Sequence, residues 1–166
     1  MMISSILKSS THQSKKTNIN TRWRYLSSLP TRSDYMHFEQ RQTRFADTDL
    51  FGHINNSIYY QYMDDSVNSP LLKKGYGADY PRFVVENGMK YYKPIEYPMT
   101  VDVGLRVSTL SEKSVTYDVG MFTEKYGDAI CARGKFVHVY VDIRTGKPIP
   151  IHQDVRSALE ELLVKD

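Results

Sequence analysis

The sequence predicts an α+β domain, with one amphipathic helix laid against an antiparallel sheet and a second helix at the C-terminal end. Three observations carry that prediction. Ile58, Tyr59, Tyr62, Met63 and Val67 recur at helical spacing and build one apolar face. Met99, Val101, Val103, Leu105 and Val107 alternate strictly with Thr100, Asp102, Gly104, Arg106 and Ser108, which is the pattern of a half-buried strand. Val115, Tyr117, Val119 and Met121 alternate again after a short turn, so two strands in sequence read as a hairpin. With 166 residues, 40% of them hydrophobic, the chain has enough apolar surface for one real core. Thirteen tyrosines and six phenylalanines beside a single tryptophan agree with a sheet-rich domain.

In chain order, residues 1–33 stand apart. They hold Lys8, Lys15, Lys16, Arg22, Arg24 and Arg32, no acid, and many Ser, Thr and Asn residues. Those are the marks of an organellar transit peptide. Arg24-Tyr25-Leu26-Ser27 also resembles a mitochondrial processing site. We therefore expect residues 1–33 to be a disordered targeting segment and residues 34–166 the folded domain. The expected destination is the mitochondrial matrix, or the cytoplasm if the segment carries no address. Cleavage after Leu26 would remove five of the 22 basic residues and none of the 19 acidic ones, turning a net charge of +3 into −2. Basic character thus belongs to the leader, and no nucleic-acid partner is expected of the domain. No run approaches the roughly 18 apolar residues of a membrane span. Cys131 is the single cysteine, so no intrachain disulfide is possible. No Cys/His cluster has zinc spacing, and Cys131 reads as a small buried hydrophobe.

Residues 35–45 show little periodicity, with Phe38 and Phe45 the main apolar side chains. The helix should begin at Asn55 or Asn56, both good N-caps. Pro70 should kink or restart it, and Gly75 should stop it. A strand is expected from Phe83 to Lys93, with Pro94 and Pro98 bracketing a loop. The alternating runs follow, then a turn at 126–128, a long strand over 129–141 and a turn at 144–147. Val155, Ala158, Leu159, Leu162 and Leu163 mark the C-terminal helix, with Asp154 as its cap.

Polar chemistry is concentrated between the weak first segment and the helix. Asp47, Asp49, His53, Asn55 and Asn56 fall within ten positions, with Gly52 permitting a tight bend. Such a loop would hold an acid and a histidine against the free amides of a helix N-terminus, which attract negative charge, including charge that develops during a reaction. On spacing alone, an acid there is most simply a cap or dipole partner.

The motif Asp47-Thr-Asp49-Leu-Phe-Gly52-His53-Ile-Asn55-Asn56, followed by Tyr59 in a helix, resembles the signature of hotdog-fold acyl-CoA thioesterases of the 4-hydroxybenzoyl-CoA thioesterase type. Residues 85–94 and 142–150 are similar to later segments of that family, and the likeness spans roughly 36–164. It implies a five-stranded antiparallel sheet wrapped around a central helix. It also implies edge-to-edge dimers, with tetramers common, and active sites at the dimer interface. By position, Asp49 matches the catalytic carboxylate, and Asn56 matches the residue whose backbone amide polarises the thioester carbonyl. His53 matches a histidine of one branch of the family. Two features depart from relatives: the helix reads Asp64-Asp65-Ser66-Val67-Asn68 where many carry Glu-x-x-Arg, and Phe51 stands where plant relatives have a catalytic asparagine.

The resemblance implies hydrolysis of an acyl-CoA to free acid and CoA. Asp49 would serve as general base or nucleophile, and Asn56, with Ser57, would supply the oxyanion contact. His53 would orient the substrate or hydrogen-bond within the turn. Asn55 would cap the helix and secondarily touch substrate, and Tyr59 would line the acyl pocket. Asp47 reads as structural. No cofactor or metal is expected. Lys90, Lys93, Arg133 and Lys135 are candidates for the CoA phosphates by type, although a solvated strand face explains each as well. The competing functions are a non-catalytic hotdog acyl-binding or assembly module and a hotdog hydratase or dehydratase.

Overall fold

A computed structural model describes residues 29–164, and residues 1–28 of the targeting segment expected over 1–33 lie outside them. Five strands form one antiparallel sheet: β1 (His37–Gln42), β2 (Arg82–Tyr91), β3 (Thr100–Leu110), β4 (Ser114–Thr123) and β5 (Ala132–Tyr140). Their spatial order is β1-β3-β4-β5-β2, so the two strands flanking the long helix in sequence become the two edges. That helix, α1 (Asn56–Lys73), lies against one sheet face, and a short helix, α2 (Gln153–Glu160), packs beside it. This is the hotdog fold.

Alternation decides which face each strand residue takes. Val101, Val103, Leu105 and Val107 of β3 are fully buried, as are Val115, Val119 and Met121 of β4. Tyr59, Tyr62, Met63, Val67 and Leu71 of α1 close over them. Each fully buried side chain of this size contributes about 1.5–3 kcal/mol relative to exposure. Closest approach occurs at Gly134 of β5, where a Cβ would collide with the sulfur of Met63. Glycine at that position is what lets α1 settle onto the sheet.

Pro70 lies inside α1, which runs unbroken past it to Lys73 and so does not restart there. It lacks an amide to give to the carbonyl of Ser66, but the helix ends three residues later, so only one ladder bond is lost. The stop itself follows the sequence reading. Gly75 adopts φ +84°, and the amides of Gly75 and Tyr76 bond to the carbonyls of Leu72 and Leu71 in a Schellman arrangement. At the other end, α2 is capped by His152, whose ring accepts from the Asp154 amide at 3.3 Å. The expected Asp154 cap is thus displaced by two residues. Leu163 likewise leaves the helix and forms a parallel bridge to Val107.

Residues 29–33 precede the expected domain start at residue 34 and lie against the sheet. Pro30 is buried, and Thr31 and Asp34 form a capping box around a single 3-10 turn. Arg32 pairs with Asp102 at 2.6 Å, and its guanidinium lies over the rings of Phe38 and Phe122. Tyr35 then lies across paired Gly104 and Gly120, where any Cβ would meet its ring. This strap covers the sheet face opposite α1. Its spacing is neither helical nor alternating, so periodicity could not reveal it.

The two edges differ. β1 is held to α1 by the buried carboxylate of Glu39, which accepts from Ser69, Lys73 (2.6 Å) and Arg41 (2.7 Å). β2 instead exposes Phe83, Val84 and Val85 at 46%, 46% and 58% on a free edge.

Candidate active site

The loop before α1 is built from the bottom by Asp47. Its carboxylate is buried and accepts from the backbone amide and guanidinium of Arg44 at 2.7–3.0 Å, with the Tyr62 hydroxyl at 3.4 Å. The Arg44 hydrogen bonds outweigh the burial penalty and hold the Asp47 carboxyl below its ordinary range. Its carbonyl accepts the Asn55 amide at 2.7 Å, which fixes where the helix starts. Asp47 is therefore fully engaged inside the loop.

Asp49 is engaged by half. Its Oδ1 accepts from the amides of Phe51 (2.8 Å) and His53 (3.1 Å), an Asx turn closed through Gly52 at φ +79°. Among the described residues, Oδ2 has no hydrogen-bond partner. One oxygen thus sets the orientation of the carboxylate while the other is left unengaged.

At the helix start the amides are divided. Asn55 is the N-cap: its side-chain oxygen accepts from the Ser57 amide at 3.0 Å, and its carbonyl accepts from Ile58 at 2.9 Å. The Ser57 amide, expected as a second oxyanion donor, is thereby consumed. The Asn56 amide has no partner among the described residues and remains the single free donor of the first turn. The side-chain oxygen of Asn55 is likewise committed to the cap.

Asp49, His53, Asn56 and Tyr59 come together as walls of one open cleft of about 320 Å³, completed by Ile54, Tyr91, Tyr92, Lys93 and Pro94. Asn55 is not among the lining residues. Tyr59 is buried, accepts the Ile95 amide at 3.3 Å and packs edge-on against Tyr91 with ring centroids 5.0 Å apart. Burial pushes its phenol up to about 12, so it stays neutral through the physiological range. His53 is exposed, and its backbone bridges to Glu96, which itself pairs with Lys125 at 2.7 Å. In the wall contributed by residues 91–94, Lys93 was named from sequence only as a candidate for the CoA phosphates, and Tyr91, Tyr92 and Pro94 were not singled out as cleft residues. The signal for this wall is the adjacent aromatic pair Tyr91-Tyr92 ahead of Pro94, at the end of an edge strand. Cys131 lies just before β5, buried beside Thr123, and burial raises its thiol further from ionisation.

The profile of the thioesterase-like superfamily matches residues 43–159. The chain belongs to that superfamily. Similarity to solved structures agrees. The PA5185 protein of Pseudomonas aeruginosa is 36% identical, with a TM-score of 0.76 over 82% of this chain and 97% of its own. A Thermus thermophilus thioesterase solved with coenzyme A and zinc is 22% identical, with a TM-score of 0.67 over 78% of this chain and 95% of its own, a likeness of fold. Among curated proteins, one from Aquifex aeolicus with a provisional esterase description is 27% identical over 74% of this chain and 96% of its own. Among the described residues, no helix is long and apolar enough to cross a membrane.

Proposed function

We propose that the chain hydrolyses acyl-CoA thioesters, in the manner of the 4-hydroxybenzoyl-CoA type, with Asp49 as the reacting carboxylate. The observation that carries this reading is the pairing of a half-engaged acid with an unspent helix amide in one cleft. A thioester carbonyl accepting from the Asn56 amide would have its developing oxyanion at the positive end of α1. One preorganised donor of this kind is worth on the order of 10²–10³ in rate. Asp49 then attacks the carbonyl carbon directly, giving an anhydride that water resolves, or takes a proton from an attacking water. In either course the thiolate of coenzyme A leaves. Tyr59 and Tyr91 supply an aromatic surface for the acyl group, and exposed His53 contacts substrate at the rim. The exposed apolar edge of β2 supports a homodimer joined there, since an uncovered hydrophobic edge strand is a template for pairing. Composition of residues 1–28 supports a mitochondrial destination.

Thiol release from short, medium, long and aryl acyl-CoAs tests this directly, with Asp49→Asn run alongside. Turnover that collapses in the variant is the expected result. A folded protein that turns over none of the panel would replace this reading with an acyl-binding module.

A further inference from the structure

We propose that a buried polar cluster beneath the C-terminal half of α1 binds a small monovalent anion, such as a halide. Arg82, Tyr117, His138 and Tyr140 form it, and cross-strand register brings them together. Arg82 opposes Tyr140 across the β2–β5 ladder, and His138 lies two residues before Tyr140 on the same sheet face. Tyr117 comes from β4, its ring edge-on to that of His138 with centroids 5.8 Å apart. That face is the one α1 covers, since the Arg82 guanidinium donates to the Asn68 side chain at 2.8 Å. The Arg82 Nε, the His138 Nδ1 and the hydroxyls of Tyr117 and Tyr140 are buried and have no hydrogen-bond partner among the described residues. Tyr117, His138 and Tyr140 are 1%, 2% and 3% exposed, so bulk solvent does not serve them either. Buried polar groups are ordinarily paired, and four orphans in one place call for a ligand that accepts from all of them.

Charge and protonation select an anion. The acceptors of Arg82 are the carbonyls of Tyr76 and Tyr80 and the Asn68 side chain, all of them neutral. No carboxylate pairs with Arg82 among the described residues. Exposed Asp64, one turn before Asn68, feels the Arg82 charge without forming an ion pair. That charge acts on all three rings of the cluster. Burial pushes both phenols up, so their protons stay on. Burial, helped by Arg82, holds the His138 ring down at about 4, so it is neutral and can carry its proton on Nδ1. The cluster thus offers four donors and a positive charge without an ion-pair partner. A water accepts two hydrogen bonds and brings no charge, whereas an anion answers both needs. Asn68 stands about 18 Å along α1 from Asn56, past the buried side chains of Tyr59, Met63 and Val67, which makes the occupant a free ion rather than the end of an acyl group. Bound there, the ion would tie the start of β2, a sheet edge, to β4 and β5. None of this depends on the thioesterase reading.

Thermal unfolding of the full-length chain tests the site, with sodium bromide replacing sodium gluconate at constant ionic strength. Gluconate is too bulky for so enclosed a cluster. The melting temperature should rise saturably, by roughly 5 °C at tenfold the dissociation constant. Tyr117→Phe with Tyr140→Phe keeps both rings but removes two donors, and should abolish the rise. Tyr140→Phe alone is the milder change and should weaken bromide binding by about tenfold, which keeps the test decisive if the double variant does not fold. Anomalous scattering from wild-type crystals grown in bromide should place the ion within hydrogen-bond reach of the Arg82 Nε and both hydroxyls. No saturable rise in the wild-type chain, an equal rise in Tyr140→Phe, or a water without anomalous signal at the cluster would overturn the proposal.

Discussion

The two ends of α1 each hold a carboxylate, and the two are treated oppositely. At the C-terminal end Glu39 is buried and surrounded by Ser69, Lys73 and Arg41, with His37 at 3.7 Å. Burial pushes its carboxyl up, but the hydrogen bonds from Lys73, Ser69 and Arg41 outweigh that and bring it from 4.5 to about 2. Both of its oxygens are engaged within the fold. At the N-terminal end Asp49 spends one oxygen on two loop amides and keeps the other, beside an amide that is also unspent. A saturated carboxylate stabilises, whereas a half-saturated one beside a free donor is available for chemistry. Asp47, two residues away, falls with Glu39 in this division.

The sharpest break of that contrast is Asp49→Asn. It keeps shape and the acceptor for Phe51 and His53 but removes basicity and nucleophilicity, so turnover should fall by about 10²–10⁴ with an unchanged melting temperature. Full activity in the variant would move the reacting group to another residue. Glu39→Gln should do the reverse. Removing the charge leaves Lys73 and Arg41 without their anion and should cost about 2 kcal/mol of stability, read by denaturant titration, with kcat within twofold. Loss of activity at constant stability would show that the two ends are not separable.

Acid titration sharpens the same point. Glu39 has a folded value below its ordinary 4.5, so its contribution is fully present above about pH 5 and is lost as pH falls toward about 2. Wild-type stability should therefore decline over that window more steeply than the stability of Glu39→Gln. Parallel curves would remove Glu39 from the account.

Smaller effects come from the rest of the N-terminal end. His53→Ala should lower kcat/KM by about tenfold, less than Asp49→Asn, because its imidazole is exposed and makes no bond within the loop. A larger loss would reverse the ranking of the two. Asn55→Ala removes the cap and should cost about 1 kcal/mol in thermal unfolding. It also frees the Ser57 amide, so turnover should change by no more than a few fold. A loss as large as that of Asp49→Asn would place Asn55 on the substrate.

Period and local chemistry were sufficient for much of this protein. Helical spacing from Ile58 to Val67 and strict alternation over β3 and β4 are read directly from which residues are apolar, because burial on one face demands those periods. Gly75 as a stop and Asn55 as a cap follow from backbone geometry that few residues satisfy. The proximity of Asp49, His53 and Asn56 was legible for the same reason, since all three lie in one turn-and-helix segment. What tertiary structure decided is everything that depends on distant partners. Glu39 looks like an exposed strand acid until Ser69 and Lys73, some thirty residues on, are folded against it. Tyr91 to Pro94 form a wall of the cleft only because β2 pairs with β5 at the far edge from β1. Gly104 and Gly120 owe their identity to Tyr35, and Gly134 owes its identity to Met63. Sequence fixes what a residue can offer over a few positions of chain, but whether an offered group is spent or left free is settled by what the fold brings to it.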